Sequence, residues 1–489
     1  MKKNKFNLSL TALLLTFFTP AAVWADDNQL MQMLNGMQKQ MAQMQKTIEQ
    51  QSDKIRVLEK REPQIQLAAP SSGEPVKAAP MSDYDFNQML DVATGGAQKW
   101  LKDLKFAGDI RLRYEAFKYG SGNPSETDDR NRFRYRLRYG VEKKFSDDMK
   151  VGFGLASGEG PTIAGTSLGS AAVNSDPTST NTSLDNNFNF KPIYIEKVFG
   201  TYTPKFLSKK GILEKTEITG GKMTNPFEKG SSDMIWDRDV KPEGVYEKFD
   251  FSLINSENMT LSAYSTFGQF ILDEDATRGG DANLFAYQFG FNPVIYTPFF
   301  DRPVDLLQSF SAYNYYNYAR KSNFIIGGNS LARGNPNIDG ISTELDAGQF
   351  KVLEYYSELA VYPGGTPVRF HFDFAGNTAS DPPDTSIVGE NTAYGLGVKL
   401  GGIVKKGDWE LGYQYKRIGA NAVVGAFNDS DFGDGHAGKV GSVIKGAYAF
   451  TDAITLNGAM FFVDNLNSGM SGIIDQNQNR FQVDMSWKF

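Results

Sequence analysis

The sequence predicts an all-β protein: a transmembrane antiparallel β-barrel of about sixteen strands, preceded by an N-terminal α-helical coiled coil. Three observations predict this fold class. The C-terminal strand alternates and ends on an aromatic residue, the N-terminus carries an export signal, and strand and turn patterns fill residues 105–489. Apart from the signal, no segment approaches the ~18 uninterrupted apolar residues of a membrane-spanning helix. An exported chain without such helices can still enter a membrane as a barrel.

Residues 1–25 predict a signal peptide. Three lysines occur within the first five residues, an apolar run extends from Leu8 to Phe18, and Ala25 ends a small-residue cleavage site. The apolar run is too short to remain in the membrane as a spanning helix. The mature chain is therefore expected outside the cytoplasm.

Residues 27–62 predict a coiled coil in the periplasm. Apolar residues recur with a 4-3 spacing over about four heptads, interrupted by Gln51. The seam residues are Leu30, Leu34, Met37, Met41, Met44, Ile48, Ile55 and Leu58. A single amphipathic helix lying on a membrane or on the barrel is the alternative, but so narrow a seam favours partner helices. Residues 63–104 predict a Pro-rich linker and a short helical segment leading into the barrel.

Residues 105–489 predict the barrel. The clear strands are 105–117, 131–144, 149–157, 191–203, 244–254, 259–270, 366–376, 392–402, 408–418, 439–450, 453–463 and 480–489. The weaker candidates are 214–222, 284–291, 309–319 and 349–362. Short and long connections alternate, as in bacterial barrels with periplasmic turns and external loops. The absence of a fixed repeat period argues against a propeller or a β-helix.

The last strand has one apolar and one polar face, because successive side chains of a strand point to opposite sides. The apolar residues, which we expect to face lipid, are Phe481, Val483, Met485, Trp487 and Phe489. A strand of a soluble sandwich could alternate in the same way, so the export signal is needed to favour the barrel.

Six arginines alternate with apolar residues on two predicted strands. They are Arg111, Arg113, Arg132, Arg134, Arg136 and Arg138. An arginine facing lipid at the membrane midplane costs about 2–4 kcal/mol, so these side chains are predicted to line a water-filled pore. They could form a cationic ladder that attracts anions. They could equally pair with lumenal carboxylates and brace the wall, since Asp109 and Glu115 occur among them.

The third long loop, residues 223–243, is unusually apolar for a solvated loop. Its predicted site residues are Trp236, Asp237, Asp239 and Glu243. A loop with this composition is expected to pack on a surface, and the barrel interior is the nearest one. Folded inward, the loop would set Asp237 and Asp239 across a constriction from the arginines. A cap over the barrel or a subunit contact is the alternative.

Composition and motifs argue against catalysis. The net charge of −6 argues against nucleic acid as a partner. The chain has no cysteine and only two histidines, His371 and His436, so neither thiol chemistry nor a histidine-dependent triad is expected. Asp429, Asp431 and Asp434 could bind calcium at a rim, but polar turns commonly contain such residues. No enzyme activity, metal or cofactor is predicted.

Several segments resemble a family described as "putative porins" of Gram-negative outer membranes. They are the arginine-rich segments Gly108–Glu115 and Arg132–Tyr139, Gly221-Lys222-Met223 with Asn225-Pro226-Phe227, Trp236-Asp237 with Pro242-Glu243-Gly244, and the terminal strand. The resemblance implies a trimeric, sixteen-stranded diffusion pore. The coiled coil before an arginine-lined barrel also resembles phosphate-selective porins. Phosphate specificity does not follow, because the arginines alternate with Tyr and Phe on two adjacent strands.

The sequence therefore predicts an outer-membrane porin for passive diffusion of small polar solutes, with a preference for anions. The expected partners are outer-membrane lipid, two further copies of the chain, small polar or anionic solutes, and peptidoglycan or a periplasmic protein at the coiled coil. A barrel-anchored envelope tether or adhesin is the main alternative. A barrel enzyme such as a lipase is disfavoured, because no serine–histidine pair is evident.

Overall fold

The computed structural model describes residues 104–120, 129–159, 176–185, 187–274, 281–300, 302–318, 325–326, 329–330, 335, 350–379, 390–466 and 477–489. The predicted signal peptide, coiled coil and linker lie outside the described residues. Within those residues, no helix is long and apolar enough to cross a membrane.

Sixteen long strands form the fold, and every predicted strand is present. They are β1 (Leu104–Tyr119), β2 (Arg130–Lys144), β3 (Met149–Ser157), β4 (Ile193–Tyr202), β5 (Leu213–Lys222), β6 (Glu243–Asn255), β7 (Met259–Asp273), β8 (Ala282–Ile295), β9 (Val304–Tyr316), β10 (Lys351–Val361), β11 (Val368–Asn377), β12 (Thr392–Gly401), β13 (Trp409–Ile418), β14 (Lys439–Ala449), β15 (Ile454–Asn465) and β16 (Gln478–Lys488). Three two-residue segments are also present in the described residues: Thr182–Ser183 pairs with β2, and Ile325–Ile326 pairs with Asn329–Ser330.

The strands close into a ring. Each long strand pairs antiparallel with the next, and β16 returns to pair with β1 over eleven positions, from Asp109↔Lys488 to Tyr119↔Gln478. Closure leaves no unpaired edge strand. The prediction of an antiparallel barrel of about sixteen strands is confirmed.

The barrel wall is apolar outside and polar inside. On β1, Ile110 and Leu112 are exposed on the outer surface, whereas Arg113 and Glu115 are buried inside. On β16 the same alternation holds: Phe481 and Met485 are exposed, whereas the inward Gln482 and Asp484 are buried. Among the other predicted lipid-facing residues, Phe489 is exposed, and Val483 and Trp487 are partly exposed. A hydrocarbon solvent outside and a hydrated interior require this arrangement.

Long loops occur at one end of the barrel and mainly short turns at the other. The second, third, fifth and seventh long loops are named L2 (158–192), L3 (223–242), L5 (317–350) and L7 (419–438). The main apolar core lies inside the barrel, where L3 and L7 pack against inward residues of the wall. Its largest fully buried members include Phe227 and Met234 of L3, Phe432 of L7, and Tyr313 and Tyr315 of β9.

Candidate functional site

The predicted arginines form one continuous polar patch on the inner wall, which we call the arginine wall. Arg111 and Arg113 lie on β1, and the other four alternate along β2. Strand closure adds Arg480 of β16, which sequence analysis missed. A single arginine near the start of the last strand forms no alternating sequence pattern of its own. Only the pairing of β16 with β1 brings it to the other six arginines.

Arg113 and Arg480 share a buried set of carboxylates. Arg113 binds Asp484 of β16 in a bidentate manner, with both N–O distances at 2.7 Å. Its other terminal nitrogen lies 3.0 Å from Asp431 of L7. Arg480 donates to Glu115 at 2.6 Å and lies 2.8 Å from the same Asp431. Two wall arginines therefore hold one loop carboxylate between them.

The β2 arginines have partners as well. Arg132 donates to Glu115, and Arg136 donates from Nε to Asp109 at 2.9 Å. Arg134 lies 3.3 Å from Glu159 at the start of L2 and donates to the backbone oxygen of Asn181 at 3.2 Å. Buried charges require such compensation, because an unpaired ion inside a protein is costly.

L2 and L3 also dock on this wall. Arg138 pairs with Asp239 of L3, with Glu196 of β4 at 3.2 Å, and donates to Thr180 of L2 at 3.0 Å. Arg111 donates to the side chain of Asn181 in L2. The arginines thus contact three inward loops, L2, L3 and L7.

Positive and negative charges nearly balance at the arginine wall. Seven guanidinium groups face eight carboxylates within 3.8 Å in the described part of the chain. The carboxylates are Asp109, Glu115, Glu159, Glu196, Asp239, Asp431, Asp434 and Asp484. An ion in the lumen therefore encounters little excess positive charge from the arginines.

L3 turns inward between two facing glycines. Gly221 near the end of β5 pairs with Gly244 at the start of β6, and both have positive φ, 120° and 152°. A Cβ at either position would collide with a carbonyl oxygen of the neighbouring strand. Glycine alone adopts this backbone without strain, so the local sequence directs the loop off the wall.

The tip of L3 contacts strands on distant parts of the ring. Ser231 donates to Glu354 of β10 at 2.7 Å, and Lys416 of β13 donates to Asp233 at 3.1 Å. Gln288 of β8 donates to the backbone oxygen of Phe227 at 3.0 Å. Asp239 meanwhile reaches Arg138 on β2. A loop that contacts β2, β8, β10 and β13 through their inward side chains crosses the barrel interior.

The four predicted loop residues have different environments. Trp236 is buried against Tyr313 of β9 and Phe427 of L7, with ring centroids 5.5 Å apart in each pair. Asp239 meets Arg138, but Asp237 faces L7 and accepts the backbone N–H of Ser430 at 2.8 Å. Glu243 is the first residue of β6 and pairs with Lys222 at 2.6 Å.

The two loop aspartates have opposite pKa shifts. Burial raises the pKa of Asp237 well above its usual range, and the neighbouring carboxylates of Asp239 and Asp429 add to the shift. Burial acts on Asp239 in the same direction, but Arg138 and then Arg136 outweigh it, so its pKa lies below the usual range. Of the two carboxyls, Asp239, which pairs with Arg138, is therefore the one that favours the charged form.

L7 carries functional side chains that sequence analysis did not place in the lumen. Asp429 accepts from Lys416 at 3.1 Å, Asp431 lies between Arg113 and Arg480, and Asp434 accepts from Gln478 at 2.6 Å. No group of three or more His, Asp or Glu residues in the described segments is arranged to hold a metal ion. These three aspartates contact the wall instead.

A cavity of about 750 Å³ lies beside L3. Residues of β3, β4, β5, β7 and L2 form its walls, among them Ser157, Glu196, Lys222, Phe270 and Thr180. Trp236 and Phe427 add aromatic surface from L3 and L7. Charged, hydroxyl and aromatic groups therefore face one space.

The family model described as "Putative porin" matches residues 124–333 and 349–489. The chain belongs to this family. The matched residues cover most of the barrel, and the protein is a porin, a channel rather than an enzyme, of the outer membrane.

Solved structures similar to this porin include OprB of Pseudomonas putida at high pH, with 10% identity and a TM-score of 0.44 over 82% of this chain and 97% of that one. OmpF of Salmonella typhi in complex with daunomycin has 9% identity and a TM-score of 0.43 over 79% and 97%. OccK8 (OprE) of Pseudomonas aeruginosa has 8% identity and a TM-score of 0.36 over 80% and 99%. No curated protein sequence matches this chain significantly.

Proposed function

We propose that this porin lets small polar solutes diffuse down their gradients through the space between L3 and the β3–β5 side of the barrel. The observation that carries the proposal is the path of L3, whose polar contacts reach Arg138 on one side and Lys416 on another. A loop fixed in this way narrows the pore without a chemical step. Selection then depends on size and on the charged groups that line the route.

The charge balance at the arginine wall supports weak charge selectivity. The six arginines taken alone predict an anion preference, which stays a prediction. Their carboxylate partners oppose it, because seven cations face eight anions. Reversal potentials across a salt gradient measure the preference. A strong anion preference that disappears when Arg134 and Arg136 become Gln would favour the ladder over the paired wall.

Single-channel recording in planar bilayers tests the pore itself. The refolded full-length porin is expected to give steady conductance steps, and shortening L3 is expected to enlarge them, since less of the lumen is filled. A correctly folded but electrically silent barrel would favour the envelope tether or adhesin. A shortened L3 with unchanged conductance would place that loop outside the route of the solute.

The assembly proposed with this function is a homotrimer in outer-membrane lipid. The predicted coiled coil of residues 27–62 would lie in the periplasm, joined by a linker that can reach a threefold axis. Its seam of Leu, Met and Ile residues is compatible with association of two or three helices, and the resemblance to porins favours three. Peptidoglycan or a periplasmic protein is the proposed partner of the rod.

A further inference from the structure

We propose that L7 is a second constriction loop that sets the size limit of the pore, and that Asp431 is the residue that positions it. The inference rests on the proposed pore function. It assigns a specificity-determining role to a segment whose sequence looks like a polar turn. It also explains why the arginine wall is so thoroughly paired.

L7 lies inside the barrel rather than over its mouth. Ala420, Ala422, Val423 and Ala426 are at most 1% exposed, which a solvated external loop would not produce. Asn335 of L5 binds this segment three times, donating to the backbone oxygens of Ala420 and Val423 and accepting the backbone N–H of Gly425, at 2.7–2.8 Å. The first half of L7 is therefore a packed, hydrogen-bonded element.

The second half of L7 reaches down the arginine wall. Arg113, which contacts Asp431, lies six positions before the loop end of β1 at Tyr119. Arg480 holds the same residue from β16, and it also donates to the backbone oxygens of Ser430 and Asp431 at 3.2 and 3.3 Å. Two cations on neighbouring strands, six positions from the loop end of β1 and two from that of β16, thus fix one carboxylate of the loop against the inner wall.

L7 and L3 are bonded into one unit. The backbone N–H of Asp429 donates to the oxygen of Asp233 at 3.0 Å, and that of Asp237 donates to the oxygen of Phe427 at 2.6 Å. Lys416 binds Asp233 of one loop and Asp429 of the other, both at 3.1 Å. The two loops contact β8, β10, β13 and β16, and the cavity beside them is lined in part by residues of β3, β4 and β5.

The test compares the wild-type porin with three variants in planar bilayers and in liposome swelling with sugars of graded size. One variant has L7 shortened by removal of residues 421–436, and one carries Asp431→Asn. The matched control is Asp452→Asn, in a short turn at the opposite end. Shortening is expected to raise conductance roughly twofold or more and to admit larger sugars. Asp431→Asn is expected to raise mean conductance and open-channel noise, with Asp452→Asn unchanged.

Failure of this inference is distinguishable from failure of the proposed function. A conducting wild type whose conductance and size limit are unaltered in both L7 variants overturns the role of L7 and leaves the pore intact. If the wild type is electrically silent but the form with shortened L7 conducts, the result supports L7 as an obstruction and overturns the proposal that the wild-type pore is open. If every form is electrically silent, although heat-modifiable electrophoretic mobility shows that each has folded, both the role of L7 and the pore function are overturned. If the shortened form fails to fold, the test rests on the variants Asp431→Asn and Asn335→Ala. Wild-type conductance in both variants overturns the role of L7.

Discussion

Single residues of the arginine wall act through pairs and not as free charges. Arg113 is 5% exposed and has Asp484, Asp431 and Glu115 within 3.3 Å. Removing one member of such a set leaves the other charges buried without a partner. The stability lost in this way is larger than the net stability that the ion pair contributes. The side chains that make the interior polar therefore also hold its loops in place.

Replacement of Arg113 by Gln is expected to lower the free energy of unfolding by about 3–5 kcal/mol, because Asp484 and Asp431 lose their buried cation. The measurement is urea unfolding in lipid vesicles, followed by tryptophan fluorescence. Lys144→Gln is the matched control, since its ion pair with Asp147 is exposed and exposed pairs contribute little to stability. Equal effects of the two substitutions would contradict the bracing role.

Asp239→Asn is expected to shift selectivity towards anions more than Asp237→Asn does at mildly acidic pH. Asp239 has a lowered pKa beside Arg138 and stays charged, whereas burial beside Asp239 and Asp429 raises the pKa of Asp237. Reversal potentials measure both variants against wild type. A larger shift from Asp237→Asn would mean that the charge assignment within this pair is reversed.

At the scale of elements, the loops determine what the barrel leaves open. L3 leaves the wall between two glycines and crosses the interior, and L7 packs against it through backbone hydrogen bonds. Several inward residues of β8 and β9 that meet these loops are apolar or aromatic, such as Leu284 and Tyr313, and they lie beside the polar Gln288. These strands consequently lack clean alternation, which explains why they were only weak candidates in the sequence.

The anchor of L7 is expected to survive acidification. Burial tends to raise the pKa of Asp431, but Arg113, Arg480 and Arg111 outweigh it and hold the pKa well below the usual range. A depressed pKa contributes its full stabilisation above the ordinary pKa of an aspartate, and this contribution is lost as pH falls from there through the depressed pKa. Conductance should therefore stay constant from neutral to mildly acidic pH. A rise within that window that is absent from Asp431→Asn would show that the anchor titrates earlier.

At the scale of the whole molecule, the described strands close the sheet among themselves. Sixteen strands pair without a gap, and β16 completes the sheet with β1. Deletion of residues 30–58 is therefore expected to leave a pore-forming trimer that assembles more slowly. Native mass spectrometry in mild detergent measures the oligomeric state. A monomeric deletion protein would make the coiled coil the main oligomerisation element, and a monomeric full-length protein would contradict the coiled coil itself.

The sequence by itself determined the barrel and the direction of its side chains. Alternation is a local property: once Arg132 to Arg138 lie on a strand, the pleat puts all four guanidinium groups on one face. The export signal and the alternation of loop lengths indicated a membrane barrel, and the cost of an arginine in lipid then indicated which face meets the membrane. Even the inward path of L3 had local signals, in its aromatic residues and in the facing glycines Gly221 and Gly244.

Only the tertiary structure decided what the arginines do. Asp484 lies 371 positions from Arg113, and Asp431 lies 318 positions away, so no local pattern could relate them. Closure of the ring brings β16 beside β1, and the packing of L7 against L3 delivers Asp431 to both Arg113 and Arg480. The effect of a charged side chain on a passing solute depends on such partners, because a paired arginine presents less net charge to the lumen than an unpaired one.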